Sequence, residues 1–261
     1  MMTPDEHGCH LLNRNFVVCH RSLADRVRHD QPHLTPAYSH RAARFFSGKP
    51  HQTATKPTSI TSLRFRRLMD RFYLTYSADQ PERSSEMEVA LFDFLASEYS
   101  DLVDLANNTS TIQMLLTLVD ARRSQQPILD FGCGPAVSLE MAAQFRIGVV
   151  GYDPSARMRR LARSRGMKVV TTTNLESKEP KFGGMIASYV LHLTVADSDL
   201  RIALNCLAPG AKFAANFHKG INVGRVEALV RATALCTQLA ISDASYDHPH
   251  GEVRLWRRNH G

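Results

Sequence analysis

After Pro127 the chain alternates short apolar runs with longer stretches of helical spacing, and few folds accept that pattern. Residues 128–131, 148–152, 168–172, 185–189 and 212–217 read as five buried strands. Helices over 136–145, 155–165 and 196–207 fit between most of them. Strand, helix and strand within one sheet join by a right-handed crossover, so the strands run parallel and helices cover both faces. A further helix over 222–239 leads to 241–246 and 253–257, which the pattern predicts as a closing antiparallel pair. The length of 261 residues suits one α/β domain with an extension.

Upstream the spacing is helical. Ile112, Leu115, Leu116 and Val119 fall on one stripe, with Thr109 or Ser110 placed to cap its start. Leu63, Leu68 and Phe72, then Val89, Phe92, Leu95, Ala96 and Tyr99, carry helical spacing towards the N-terminus. Before residue 59 the chain is punctuated by Pro32, Pro36, Pro50 and Pro57 and keeps no period. Three parts are expected: a poorly ordered, basic, His-rich leader over 1–58, a helical extension over 59–108, and the α/β body over 109–261.

Charge follows a similar division. The net +7 lies within residues 1–71, with 12 Lys/Arg against 5 Asp/Glu, whereas residues 72–261 hold 20 of each. A neutral body lacks the footprint of a duplex-binding protein. No apolar stretch of about 18 residues occurs, so no membrane span is expected. Cys9, Cys19, Cys133, Cys206 and Cys236 form no CxxC pair and offer neither a disulfide framework nor a structural zinc site. His248 and His250 supply only two ligands, so no metal site is expected. A reducing compartment, the cytoplasm, is the simpler destination. The alternative is the mitochondrial matrix with residues 1–46 as a cleaved leader, since Arg44-Phe45-Phe46-Ser47 has the form of a matrix-protease site. Asp5, Glu6, Asp25 and Asp30 are out of place in such a leader.

The turn after the first predicted strand carries the chemistry: Pro127-Ile128-Leu129-Asp130-Phe131-Gly132-Cys133-Gly134-Pro135-Ala136-Val137. A dinucleotide site wants a third small residue where Val137 stands, so that the helix N-terminus can face a pyrophosphate. Asp130 would also repel that pyrophosphate. A cationic ligand reverses both arguments, because Asp130 attracts it while Gly132 and Gly134 let the backbone come close. Asp153, at the end of the second strand, is placed to accept both hydroxyls of a ribose. Its competing reading is the N-cap of the helix that begins near Pro154.

LDFGCGPAVSLEMAAQF followed by VVGYDPSARMRRLARSRG resembles motifs I and II of class I S-adenosylmethionine-dependent methyltransferases. MIASYVLHL is similar to the fourth-strand motif of their small-molecule branch, LNCLAPGAKFAANF to the segment that follows it, and residues 92–99 to an aromatic motif upstream. The resemblance spans about 88–258. It implies a Rossmann-like, seven-stranded, mostly parallel sheet with helices on both faces and an N-terminal helical extension. It also implies S-adenosyl-L-methionine held by Asp130, Gly132, Gly134 and Asp153, and adenine near Asn174 and Leu175. This sequence departs from the family pattern at Asn174, where Asp is common, and at Gly184, near which an acid is common. The stretch between strands three and four is also short, so its helix is expected to be reduced.

Ser188, Tyr189 and His192 follow the fourth strand, where open α/β sheets bind ligands. Ser188 is a donor-site candidate, while Tyr189 and His192 are the catalytic candidates. His192 has the ordinary pKa of a base, and its plainer reading is a packed histidine at a helix start. His218 ends strand five and carries the same two readings. Tyr99, with Tyr73 or Tyr76, is placed to close over the donor, the alternative being core aromatics.

A methyltransferase acting on O, N or C of a small molecule is the first expectation. An RNA or protein methyltransferase using the basic arm is the second. Ala187-Ser188-Tyr189-Val190 lacks the Asn/Asp-Pro-Pro-aromatic motif of enzymes that methylate base amines, so nucleic acid is not the expected partner. The third is a methyltransferase-like subunit that supports a partner without turnover.

Overall fold

The computed structural model describes residues 105–260 apart from 122–124, 177–180, 194, 219 and 242–250. It also describes Ser85, Val89, Phe92, Asp93, Ala96, Tyr99 and four strands nearer the N-terminus. The chain divides into two compact units, residues 1–90 with 98–103, and 91–97 with 104–261.

In the first unit β1 (His10–Asn13), β2 (Phe16–His20), β3 (Leu34–Thr35) and β4 (Phe72–Ser77) form an antiparallel sheet in the order β1-β2-β4-β3. Three of these strands lie within 1–58, a stretch without period in the sequence. Phe72, assigned to a helical stripe by its spacing, opens β4 instead. Phe72-Tyr73-Leu74-Thr75-Tyr76 is dense in aromatic and β-branched residues, and that preference outweighs a sparse 3.6-residue period.

The second unit is built on α1 (Leu105–Leu118), β5 (Ile128–Phe131), α2 (Ser138–Phe145), β6 (Val149–Tyr152), α3 (Ala156–Ser164) and β7 (Lys168–Val170). It continues with α4 (Thr172–Leu175), β8 (Phe182–Ala187), α5 (Asp197–Asn205), β9 (Leu207–His218), α6 (Val223–Thr233), β10 (Cys236–Leu239) and β11 (Gly251–Arg258). The sheet order is β10-β11-β9-β8-β5-β6-β7. β5 to β9 run parallel, and β11 is antiparallel to both β9 and β10. This is the expected seven-stranded, mostly parallel α/β sheet. β5 sits between β6 and β8, so the chain turns away in opposite directions on either side of it. That switch leaves a crevice at the carboxyl ends of the strands, where ligands bind in such sheets.

Ile112, Leu115, Leu116 and Val119 are buried as their stripe requires, against Ile128, Ile186, Ala214 and Leu255. α1 begins at Leu105, so Thr109 and Ser110 lie inside the helix rather than at its cap. α4 is a single four-residue turn, as the short connection implied. The closing strands differ more from expectation. The helix predicted over 222–239 stops at Thr233, where Ala234 takes a left-handed φ of 53°, and Cys236–Leu239 becomes the edge strand. Its register against Leu255–Arg258 gives those residues cross-strand partners, which a continued helix would forfeit. Trp256 on β11 stacks on Phe213 at 4.7 Å and is 1% exposed.

Candidate functional site

Register brings the two acids of the sequence motif together. Asp130 pairs with Gly151, and Phe131 with Tyr152, so Asp130 and Asp153 end adjacent parallel strands. The loop after β5 folds back onto the loop after β6. Gly132 N and Cys133 N both donate to Tyr152 O, at 2.7 and 2.9 Å, and Gly134 N donates to Asp153 Oδ2 at 2.9 Å. Gly132, Gly134 and Ala136 take positive φ values of 78°, 47° and 63°. The volume that a Cβ on Gly134 would enter is open for 4 Å.

Both carboxylates are buried, with Asp130 3% and Asp153 7% exposed. Burial pushes each up to about 6. The Ser138 hydroxyl, which donates to Asp130, and the amides of Ser155 and Gly134, which donate to Asp153, offset part of that rise. The charge of Asp153 raises Asp130 further. Two neighbouring buried acids raised in this way form a site in which a cation lowers the energy and an added phosphate raises it.

Asp153 does not cap α3. Ser155 does, its hydroxyl accepting from Met158 N at 3.0 Å. The same hydroxyl donates to Asp93, which also accepts from Arg157 N at 2.9 Å. Arg159 Nη1 reaches Asp153 O and Pro154 O at 2.6 and 2.9 Å, and Arg165 Nη1 reaches Pro135 O at 2.8 Å. One arginine-rich helix therefore holds both loops by their carbonyls. Asp93, Arg159 and Arg165 were not legible as site residues, because their role is set by backbone geometry and no motif records it.

At the end of β7, Asn174 Oδ1 accepts from Thr171 N and Oγ1, closing a capping box. Leu175 is 1% exposed, and its amide donates to Thr171 O. The polar groups expected near adenine are thus partly occupied by the turn itself. Gly184 explains its own departure from the family pattern, since a Cβ there would lie 3.1 Å from Ile128 Cδ1.

A second cluster lies past β8 and β9. Tyr189 has a φ of 52°, and its amide donates to Asn216 Oδ1 at 2.7 Å. Its phenol oxygen accepts from Thr111 Oγ1 at 3.2 Å. The rings of Tyr189 and His192 lie 6.4 and 5.6 Å from that of His218. Burial, and then the neighbouring His218, push His192 down to about 3, so its imidazole is neutral at ordinary pH. Ser188 Oγ and Asn216 Nδ2 are buried with no hydrogen-bond partner. Asn216 was missed by the sequence reading because it looks like one more residue of a buried strand. Tyr99 falls in the first unit and is half-buried, while His248 and His250 lie outside the described residues.

Residues 129–215 match a family described as a methyltransferase domain. Among curated proteins the chain is 35% identical over 101 residues to N-demethylindolmycin N-methyltransferase of Streptomyces griseus. That match covers 34% of this chain and 42% of the relative, less than half its length. Similar solved structures include the [4+2]-cyclase SpnF, with 15% identity, a TM-score of 0.46 and coverage of 59% of this chain and 82% of that one. Another is a SAM-dependent methyltransferase from Archaeoglobus fulgidus, with 12% identity, a TM-score of 0.43 and coverage of 57% and 94%. The match to a methyltransferase domain runs from β5 into β9 and so takes in both loops that carry the paired acids.

Proposed function

We propose that the protein transfers a methyl group from S-adenosyl-L-methionine to a small molecule. The observation that carries this reading is the pair of buried carboxylates, Asp130 and Asp153, at the ends of adjacent strands, with the Gly134 amide bound to Asp153 beside open space. The donor supplies an already activated sulfonium methyl, so the protein's task is to hold, orient and exclude water. Asp130 attracts its cationic end. Asp153 keeps lone pairs beyond its two amide contacts for the ribose hydroxyls. Gly132 and Gly134 shape the approach.

The acceptor lies beyond β8 and β9, next to Tyr189 and His192. An imidazole held near a pKa of 3 binds a proton weakly, which disfavours His192 as a strong general base. A neutral nitrogen, which attacks first and sheds its proton afterwards, asks least of such a site, and the aligned Streptomyces protein is an N-methyltransferase. Calorimetric titration of the full chain with S-adenosylmethionine and S-adenosylhomocysteine, with NAD as the contrasting ligand, tests the reading. Heat from the first two and none from NAD is expected; binding of NAD alone would refute it.

A further inference from the structure

Tyr189, just past β8, has a φ of 52°, a left-handed backbone that bulky residues seldom adopt. A contact from the neighbouring strand supports it there. Ala187 pairs with Ala215, and just beyond that pair the amide of Tyr189 donates to Asn216 Oδ1 at 2.7 Å. Asn216 lies inside β9 and is fully buried, so it offers this oxygen from a fixed backbone. The next residue, Val190, fills the volume beside Gly132: a Cβ on that glycine would lie 2.4 Å from Val190 Cγ2. From the other side, Gly132 N donates to Tyr152 O at 2.7 Å. The loop after β5 is thus held between those of its two neighbouring strands, by a hydrogen bond towards β6 and by packing towards β8.

The residue that takes the hydrogen bond and the residue that makes the packing contact are consecutive in sequence. Without an acceptor for its amide, residue 189 is drawn out of the left-handed region, which favours glycine, asparagine and aspartate over tyrosine. A return to negative φ redirects the chain at that point and carries Val190 off Gly132. The glycine, with a φ of 78° and no side chain of its own, then loses the surface it packs on. We propose that Asn216 is a positioning residue for the donor site. It keeps Tyr189 left-handed, which seats Val190 on Gly132 and fixes the loop after β5 in its binding shape. In this role Asn216 acts through Val190. The inference rests on the methyltransferase reading and adds to it a residue that governs donor affinity from a neighbouring strand.

The test measures S-adenosylhomocysteine affinity of the full chain by calorimetry, below the melting temperature of each variant. Asn216→Ala is expected to bind about tenfold more weakly, the order of the population lost when a left-handed residue goes unsupported. Tyr189→Gly adopts the same backbone without help, so adding Asn216→Ala to it should weaken binding by well below that factor. Tyr189→Gly is the reference for the double variant, since it also gives up the phenol's bond to Thr111. Asn216→Ala that melts lower but binds as tightly as the unaltered chain overturns the inference, because the residue would then serve the fold alone. An equal loss of affinity in both backgrounds overturns it too. A measurement on the unaltered chain decides if Asn216→Ala does not fold. Coupling is reciprocal, so saturating S-adenosylhomocysteine should slow hydrogen exchange of the Tyr189 amide by about tenfold. Ligand bound with that exchange unchanged overturns the inference alone. No binding by the unaltered chain overturns the methyltransferase reading, and the inference falls with it.

Discussion

Gly132 and Gly134 both adopt left-handed φ values, yet they meet different needs. A Cβ on Gly132 would lie 2.4 Å from Val190 Cγ2 and 2.7 Å from Val190 Cβ, so even alanine must displace the loop after β8. A Cβ on Gly134 meets nothing within 4 Å. Gly132→Ala is therefore expected to destabilise by about 1–3 kcal/mol through overpacking, before its φ strain is counted. Gly134→Ala should cost about 1–2 kcal/mol from φ strain alone. Its larger effect is expected on ligand binding, because the methyl enters the open space beside Asp153 where the proposed donor would sit. Thermal melts and titration with S-adenosylhomocysteine separate the two. Gly134→Ala binding as tightly as the unaltered protein would show that this space serves no ligand.

At the scale of the element, α3 is the organiser of the loops after β5 and β6. Ser155 caps it, Asp93 accepts from both Ser155 and Arg157, and Arg159 and Arg165 reach back to the two loops. Ser155→Ala should destabilise by about 1 kcal/mol, the ordinary worth of a cap. Asp93→Ala removes the acceptor of the same hydroxyl. The double variant should then lose less than the sum of the singles, by about 0.5 kcal/mol or more in denaturant melts. Strict additivity would mean that the two side chains act independently. The sequence made the elements themselves legible wherever an apolar run was bounded by Gly or Pro, as at Ile128–Phe131, or by an abrupt change of period. It misled at Cys236–Leu239 and Phe72–Ser77, where spacing favours a helix and only pairing with a distant strand decides. Asp130 and Asp153 were readable as neighbours because both stand at the ends of adjacent strands. Asn216 was not, since the contact of its oxygen with Tyr189 N is set by the approach of two strands and no motif records it.

For the whole molecule the consequence of the site is a dependence of stability on pH. Asp130 and Asp153 titrate at about 6 when folded, against an ordinary value of 3.8. The folded chain therefore holds these protons more tightly than the unfolded one. Their stabilising contribution is full below about pH 4 and is lost as pH rises through about 6. At roughly 1.4 kcal/mol per pKa unit, each ionisation withdraws on the order of 3 kcal/mol from the ligand-free protein at neutral pH. Asp130→Asn, which keeps an acceptor for Ser138 without the charge, should melt above the unaltered protein at pH 7.5, with about half of that gap left at pH 5. The donor reverses the sign, because its cationic end favours the ionised acids. Affinity for S-adenosylmethionine should weaken by about tenfold for each acid that must ionise, between pH 7.5 and pH 5. Titration calorimetry across that range reads the slope directly. A flat profile would mean that neither carboxylate faces the charge it is placed to meet.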